Sequence, residues 1–189
     1  MIFKKTGIEG CFIIEPKTFV DNRGVFRRHF DADEFKKHGI VSEVKQCNIS
    51  ENFVQYMLRG FHYQLPPHSE GKTLSCVKGS IYDIVVDLRS DSKTFLKWQS
   101  FELNDENRAS LHIPPGCTHA FLTLDNETLV HYYCSENYNP EAERGIRYND
   151  SFFKFKWPHE PEIISEKDSS WPDFSVERIN NEWKRRMKL

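Results

Sequence analysis

The strongest constraint on the fold is a succession of short β-forming runs separated by turn residues. In chain order the runs read GCFIIEP, GVFRRHF, VSEVKQCNIS, VQYMLRGFHYQ, TLSCVKG, SIYDIVVDL, LKWQSFEL, ASLHIPP, HAFLTL and TLVHYYCSENY. About ten runs in roughly 130 residues is the spacing of an all-β sandwich or barrel. The sequence therefore predicts one mainly β domain over residues 1–189.

Helical signals are confined to the edges of this pattern. Asp31 can cap a helix in FDADEFKKHG, with Glu34 three residues later and Gly39 as a stop. Beyond residue 149 the alternation fades into a proline-rich segment that we expect to wrap the sheet. The tail, about residues 172–189, has helical composition. We expect a peripheral, solvated helix there, with a partner-binding helix as the alternative.

Composition excludes several classes of protein. The 189 residues carry a net charge of −2, which does not suit a nucleic-acid binder or a polybasic membrane protein. The five cysteines include no C-x-x-C pair, which favours free thiols in a reducing cytoplasm. Lys4, Lys5 and Glu9 interrupt any signal-peptide pattern, and no apolar run is long enough to cross a bilayer. We therefore expect a cytoplasmic protein that binds neither nucleic acid nor membrane.

Polar side chains occur inside the predicted strands, where a purely structural sheet does not need them. They are Arg59, His62, Lys72, Asp83, His119 and Tyr132. Each alone has a structural explanation, such as a hydrogen-bonded turn histidine or a core tyrosine. Buried polar groups are costly unless they are partnered, and a barrel that holds a ligand is the common exception. Their coincidence on several strands predicts an interior site.

The residue types in this set suit proton transfer. A histidine such as His62 can take a proton at working pH. A carboxylate on its second ring nitrogen would orient it, and Asp83 or Asp168 can serve. Tyr132 can donate a proton from the opposite side. Because no nucleophilic Ser or Cys elbow accompanies these groups, proton transfer beside a carbonyl is favoured over covalent hydrolysis.

The cationic residues and the missing motifs narrow the chemistry further. Arg59 and Lys72 can bind phosphates, and Lys72 can also stabilise an oxyanion. His62 and His68 do not form the H-x-H pattern of metal-binding cupins, so we expect no metal. Because a P-loop or Rossmann glycine pattern is absent as well, we expect no nicotinamide or nucleoside triphosphate cofactor.

Six longer motifs occur in the order and spacing of one known family. They are DNRGVF, LRGFHYQLPP, GKTLSCVKGSIYDIVVDLR, SFELNDENRASLHIPPGCTHAF, NPEAERGIRYND and ISEKD. Over roughly residues 8–170 the chain resembles the dTDP-4-dehydrorhamnose 3,5-epimerases. The resemblance implies an all-β jelly-roll cupin barrel with a few short peripheral helices, a homodimer, and no metal or cofactor. It also implies a nucleotide-linked 4-keto-6-deoxyhexose substrate, epimerised at C3 and C5 in the synthesis of L-rhamnose and related surface sugars.

The resemblance assigns roles to individual residues. It implies that His62 is the catalytic base, Asp168 its orienting carboxylate and Tyr132 the acid. An enolate intermediate also needs a cation or donor near its oxygen, and Lys72 is the best candidate for that role. The expected substrate contacts are Arg23, Arg28, Gln46, Asn48, Arg59, Lys72, His119, Tyr138, Glu143 and Lys167. Among these, Arg23 is expected to reach the site of the partner subunit, and the Tyr138 ring is expected to stack on the nucleobase of the substrate.

The chain departs from the family pattern in two segments. Arg28 stands where the family usually has a glutamate associated with the thymine ring, and an arginine can only donate hydrogen bonds. We therefore hypothesise altered base recognition, with a CDP-sugar as the alternative to a dTDP-sugar. Cys47 and Ile49 replace more polar residues of the family, and we expect both at the edge of the pocket.

Two further alternatives concern the reaction itself. The chain is consistent with a single-site 3- or 5-epimerase or a ketoisomerase of the same sugars, because site selectivity depends on the direction of Tyr132. A catalytically silent, sugar-nucleotide-binding cupin is the third possibility. Retention of both His62 and Tyr132 argues against it.

Overall fold

The computed structural model describes residues 1–186, which form fourteen strands and three helices. The strands are β1 (Ile2–Lys5), β2 (Phe12–Glu15), β3 (Thr18–Asp21), β4 (Gly24–Arg27), β5 (Gln46–Asn52), β6 (Met57–Gln64), β7 (Lys72–Lys78), β8 (Ser80–Asp87), β9 (Trp98–Asn104), β10 (Ser110–Ile113), β11 (Cys117–Thr123), β12 (Thr128–Cys134), β13 (Glu143–Gly145) and β14 (Ile163–Ile164). The helices are α1 (Ala32–Lys37), α2 (Glu166–Ser169) and α3 (Val176–Arg186).

Two six-stranded sheets form the body of the molecule. One has the order β1-β2-β10-β7-β12-β5, and the other runs β13-β6-β11-β8-β9 with β14 added beside β6. All neighbours are antiparallel except β14, which is parallel to β6. Connections that cross between two facing antiparallel sheets give a jelly roll, so the expected all-β jelly-roll barrel is confirmed.

The hydrophobic core fills the space between the sheets. Leu74 and Val130 project from the first sheet, and Val85 and Phe121 project from the second into the same cluster. Successive residues of a strand face opposite sides, so these positions alternate with polar or outward-facing ones. A second cluster, around Phe61, covers the outer face of the second sheet with residues from the chain beyond 145.

The predicted strands and helices are present, with additions. All ten predicted runs contain a strand, whereas β1, β3, β13 and β14 were not predicted. The helix α1 begins as expected, because the side chain of Asp31 accepts a hydrogen bond from the Glu34 amide at 3.2 Å. None of the helices within residues 1–186 has the length and apolar character needed to cross a bilayer.

The tail differs from a fully solvated helix. Residues 172–175 are irregular, and α3 then packs one side on the second sheet's outer cluster through Ile179, which is buried. The last three residues of the predicted tail, 187–189, lie outside the described part of the chain. Within residues 172–186, the tail therefore covers apolar surface of the second sheet.

The hairpin of β3 and β4 stands apart from both sheets. It forms a separate two-stranded sheet, with Thr18 opposite Arg27 and Asp21 opposite Gly24. Its four large apolar side chains are all exposed: Phe19, Val20, Val25 and Phe26. An isolated two-stranded hairpin is marginal in water, and a run of exposed apolar side chains marks an interaction surface.

Gly60 lies on β6 two residues before His62, and it allows β6 and β11 to approach closely there. Its φ of +117° is strained for an L-residue, and an added Cβ would lie 2.5 Å from the carbonyl oxygen of His119. The pairing of the two strands shifts register between His119 and Ala120, next to this contact. Glycine is thus required here both for conformation and for space.

We expect Gly60→Ala to destabilise the protein by about 3 kcal/mol or more, because strain and overlap with backbone atoms add. Chemical denaturation at neutral pH measures the change. Gly24→Ala is the matched control, since φ is +126° there but nothing lies within 4 Å of the added Cβ. That control should lose only about 1 kcal/mol. Equal losses in the two variants would contradict the requirement for space at Gly60.

Candidate active site

The centre of the site is a histidine–aspartate pair on the second sheet. Nε2 of His62, on β6, lies 2.6 Å from Oδ1 of Asp168 on α2. The Asp168 side chain is almost fully buried, while about a third of the His62 side chain is exposed. Within residues 1–186 the other ring nitrogen, Nδ1, has no hydrogen-bond partner. The imidazole is thus oriented on one side and free to exchange a proton on the other.

Local structure fixes Asp168 in this position. Ser165 caps α2 by accepting a hydrogen bond from the Asp168 amide at 3.1 Å. The second carboxylate oxygen of Asp168 accepts from the Gly60 amide at 3.1 Å. Burial raises the pKa of Asp168, but hydrogen bonds from His62 and the backbone outweigh it, so the pKa is lowered overall. The carboxylate is therefore ionised where it contacts the imidazole.

Asp83 forms a second pair instead of orienting His62. Its Oδ2 lies 2.9 Å from Nδ1 of His119, which stands directly opposite His62 on β11. Asp83 is fully buried, and burial raises its pKa while His119 opposes that effect. Of the two carboxylates left open by the sequence, the structure thus places Asp168 on His62, because α2 folds back on β6.

Tyr132 and Lys72 project from the facing sheet. They lie on the adjacent strands β12 and β7, and both line the same cavity as His62. Burial raises the pKa of the Tyr132 phenol, which favours its protonated form. The Lys72 ammonium is 2.8 Å from the carboxylate of Glu70. A protonated phenol and an ammonium cation thus face the imidazole from across the barrel.

Arg59 is held by a buried amide. The Asn52 side chain donates to the carbonyl oxygens of Ser50 and Thr128 at 3.1 and 3.0 Å. Its oxygen accepts from Nε of Arg59 at 2.9 Å and from the hydroxyl of Ser50 at 3.0 Å. With all its hydrogen-bonding capacity used, Asn52 fixes the plane of the Arg59 guanidinium at the cavity wall.

A chain of polar contacts closes one side of the site. Lys167 and the Tyr138 hydroxyl both donate to the carboxylate of Glu143, at 2.5 and 2.7 Å. The Tyr138 amide in turn donates to the side chain of Gln46 at 2.7 Å. Burial raises the pKa of Glu143, but Lys167 and Tyr138 outweigh it, so this pKa is lowered.

Two adjoining cavities contain these groups. The larger, of about 470 Å³, is lined by Arg59, Lys72, His119 and Lys167 among others. The smaller, of about 350 Å³, is lined by Gln46, Asn48, Glu70, Tyr138 and Glu143 among others. His62, Lys72 and Tyr132 line both. The structure thus brings together eleven of the thirteen residues predicted for the site.

Arg23 and Arg28 are not part of this constellation. Arg23 sits at the exposed turn of the β3–β4 hairpin and pairs with Asp21 at 2.6 Å. Arg28 donates to Asp31 at 2.7 Å and lines a separate surface cavity with Phe19 and Phe26. Within one chain, neither arginine lines the cavities that contain His62.

Cys47 and Ile49 were expected at the pocket edge, and that expectation is wrong. Alternation along β5 turns Asn48 into the smaller cavity and its two neighbours outward. Cys47 contacts Nε2 of His131 at 3.2 Å on the outer face, and the Ile49 side chain is exposed. The departures from the family pattern at these two positions therefore leave the cavity wall unchanged.

Two supporting residues were missed at the sequence level. Glu70 lies two positions before Lys72, and residues two apart in an extended segment face the same side. Asn52 stands at the end of β5, where an asparagine is unremarkable in sequence. Only Glu70 offered a usable pattern, since an acidic and a basic residue lie two positions apart with a glycine between them.

The arrangement suits proton transfer on a ligand held between the two sheets. A paired imidazole on one wall faces a phenol and an ammonium on the other, so a carbon between them can lose a proton to one side and gain one from the other. Arg59 and His119 supply donors for anionic groups. Among residues 1–186, no three His, Cys, Asp or Glu side chains are grouped to hold a metal ion.

Comparison with known proteins identifies close relatives of this arrangement. Residues 5–176 match the profile of the family described as dTDP-4-dehydrorhamnose 3,5-epimerase. The dTDP-4-dehydrorhamnose 3,5-epimerase of Methanothermobacter thermautotrophicus is 40% identical over 172 residues, which cover 89% of this chain and 92% of that protein.

Solved structures show the same cupin barrel. The Legionella pneumophila dTDP-6-deoxy-D-glucose-3,5-epimerase, in complex with dTDP-4-keto-L-rhamnose, superposes with a TM-score of 0.84 and 34% identity over 90% of each chain. A 3'-monoepimerase from Streptomyces bikiniensis, in complex with dTDP-quinovose, gives a TM-score of 0.85 and 29% identity over 97% of this chain and 96% of that one.

Proposed function

We propose, since this chain belongs to the dTDP-4-dehydrorhamnose 3,5-epimerase family, that it converts dTDP-4-dehydro-6-deoxy-D-glucose into dTDP-4-dehydro-L-rhamnose. The observation that carries the proposal is the placement of the His62–Asp168 pair and Tyr132 on facing walls of one cavity. Inversion of a carbon needs removal of a proton on one face and delivery on the other, and this geometry supports both steps.

The substrate's own carbonyl makes the reaction possible without a cofactor. The hydrogens at C3 and C5 are adjacent to the C4 ketone, so removal of either leaves an enolate whose charge lies on the C4 oxygen. His62 takes the proton from carbon, while Asp168 stabilises the imidazolium that forms. Tyr132 then protonates the same carbon from the opposite face, and the enolate returns to the ketone. Before the second carbon reacts, the His62 imidazolium releases its proton to water and the Tyr132 phenolate takes one up from water. Both residues are then in their starting protonation states, and the same steps repeat at the second carbon.

Electrostatics stabilises the enolate. Lys72 lines the cavity between the two catalytic walls, where its ammonium can approach the developing negative charge on the C4 oxygen. A charge placed in a water-poor cavity before the reaction stabilises such an intermediate more than mobile solvent does. Lys72 is therefore the electrophilic residue of the proposed mechanism.

The remaining residues bind the nucleotide and the sugar. Arg59 and His119 are the proposed diphosphate contacts, because each presents donors to the larger cavity. Gln46, Asn48 and Tyr138 line or border the smaller cavity, and Tyr138 is more than half exposed, which leaves its ring free to stack on the base. Glu143, which lines the smaller cavity, forms an ion pair with Lys167.

A thymidine nucleotide is preferred over a cytidine nucleotide. The Legionella relative is bound to a dTDP-sugar, and Arg28, on which the CDP hypothesis rested, is paired with Asp31 in this chain. An arginine engaged with a carboxylate has fewer donors left to read a pyrimidine edge. The dTDP-sugar is therefore the proposed substrate.

Isothermal titration of dTDP and CDP tests this preference. We expect dTDP to bind at least about tenfold more tightly, a difference of about 1.4 kcal/mol. Arg28→Ala should leave this ratio within a factor of three, because Arg28 is occupied by Asp31. Tighter binding of CDP, or a reversed ratio in the variant, would restore the CDP alternative.

The protein is proposed to act as a homodimer in the cytoplasm, with residues 1–189 as one domain. The hairpin of β3 and β4 exposes Phe19 and Phe26, and β5 ends the first sheet, so one copy offers an apolar arm and the other an unpaired strand edge. Arg23 at the hairpin turn would then reach the partner's site. The buried free thiols suit a reducing compartment.

A double variant of the hairpin tests the dimer. Phe19→Ser with Phe26→Ser should convert the dimer into a monomer by light scattering, since it removes most of the exposed apolar surface of the arm. Turnover should fall at least about tenfold because Arg23 no longer reaches the second site. A monomer with full turnover would contradict the role of the arm, and an unchanged dimer would contradict its place in the interface.

Solvent deuterium incorporation tests the reaction. In D₂O we expect label at both C3 and C5 of dTDP-4-dehydro-6-deoxy-D-glucose. His62→Ala should slow exchange at both carbons by about a thousandfold while dTDP affinity stays within threefold, because His62 acts on the sugar. His159→Ala, at a histidine stacked on Tyr56 outside the two cavities, is the control and should exchange like the wild type.

The labelling pattern also separates the second candidate function. Similarity to the Streptomyces bikiniensis 3'-monoepimerase makes single-site epimerisation the alternative. Label at one carbon alone would establish that alternative, and label at neither carbon would indicate a binding protein. Exchange by His62→Ala near the wild-type rate would refute the assignment of the base.

A further inference from the structure

We propose that Glu70 is a positioning residue that holds the Lys72 ammonium against the cavity wall and keeps it charged through the catalytic cycle. The inference rests on the proposed function, because it concerns the cation that stabilises the enolate. Nothing in the sequence motifs assigns a role to Glu70. Glu70 contacts Lys72 directly, both side chains are mostly buried, and the backbone between them is held in place.

The contact itself is short and shielded from water. The Lys72 ammonium lies 2.8 Å from Oε1 of Glu70, and the two side chains are only 15% and 11% exposed. Both residues line the smaller cavity beside Tyr132. An ion pair in such surroundings is screened far less than a surface pair. Loss of one partner therefore leaves a poorly solvated charge.

The backbone between the two residues is pinned on both sides. Gly71 donates its amide hydrogen to the hydroxyl of Ser135 at 2.8 Å, and its carbonyl accepts from the Ser135 amide at 2.9 Å. A Cβ on Gly71 would lie 3.3 Å from Pro115 and 3.4 Å from the Ser135 hydroxyl. This close attachment to the end of β12 directs the Glu70 and Lys72 side chains to the same side.

The other titratable groups around Lys72 do not replace Glu70. Tyr132 and Cys134 face it from β12, and burial raises the pKa of both, to about 12 for Cys134, so both are neutral near pH 7. From the second sheet, Asp83 on β8 is already paired with His119, and His62 on β6 is the base. Within residues 1–186, Glu70 is the carboxylate in direct contact with the ammonium.

The charge balance of Lys72 follows from these contacts. Burial lowers the pKa of Lys72, but the charge and the hydrogen bond of Glu70 oppose it, with smaller contributions from Cys134 and Tyr132, so the pKa is raised overall. Without the carboxylate, the two largest effects that oppose burial are lost, so the pKa of Lys72 falls. Lys72 would then lose its proton at a lower pH, and the enolate would lose its cation.

Two substitutions separate charge from position. Glu70→Gln keeps the shape and a hydrogen-bond acceptor but removes the charge. We expect its kcat at pH 7 to stay within about fivefold of the wild type, and the alkaline limb of the kcat–pH profile to move down by at least about one pH unit. Glu70→Ala also frees the ammonium to rotate, so kcat should fall at least about tenfold with KM within threefold.

A matched control is available on the surface. Lys78 and Glu127 form an ion pair of the same length, 2.8 Å, with side chains 54% and 74% exposed. Glu127→Gln should leave both kcat and the pH profile unchanged, because an exposed pair is screened by solvent. The comparison separates a cavity effect from the general effect of removing one negative charge.

The ionisation of Lys72 can also be read without turnover. In protein labelled with ¹³C at the lysine ε-carbons, with the Lys72 signal assigned by Lys72→Arg, we expect Glu70→Gln to lower the pKa of Lys72 by at least about one unit. If the wild type fails to epimerise, the proposed function falls, and this titration still decides the coupling. An unshifted Lys72 signal together with a wild-type pH profile in Glu70→Gln would overturn the inference.

Discussion

The contact between His62 and Asp168 is the interaction on which the site depends. It joins residues 106 positions apart, and so connects the segment that wraps the outside of the barrel to β6 of the second sheet. The same carboxylate also accepts from the Gly60 amide, at a point where β6 and β11 approach closely. One ionised side chain therefore orients the imidazole of His62, anchors α2 and supports the local backbone.

Three basic side chains of the barrel are each paired with a carboxylate. Asp168 supports the imidazole of His62, Asp83 supports His119, and Glu70 supports Lys72. Burying an isolated charge costs several kcal/mol, whereas a paired and hydrogen-bonded one is tolerated. This is how a β-barrel can hold several ionisable groups in its interior and still fold.

Much of the fold and part of the site could be predicted from the sequence. The strands from β5 to β12 were readable because alternation and turn residues repeat along the chain, and the capping of α1 by Asp31 was readable for the same local reason. The choice between Asp83 and Asp168 was not, since it depends on where residues after 160 return to the barrel. The inward Asn48 and outward Cys47 follow from strand parity once Tyr132 is known to face inward. Asn52 carries no local pattern, because its partners come from three separate segments.

The placement of Tyr132 and His62, the proposed acid and base, on different sheets ties the proposed chemistry to the packing of the core. Leu74 belongs both to the core between the sheets and to the wall of the larger cavity, one strand position from Thr73 and two from Lys72. Side chains such as Val85 and Phe121 fill the gap from the other side. The separation between the two walls therefore depends on the volume of the apolar groups packed between the sheets. A methyl group added to or removed from that layer changes the spacing of the two walls, so a substitution made entirely within the core acts on the geometry of the cavity.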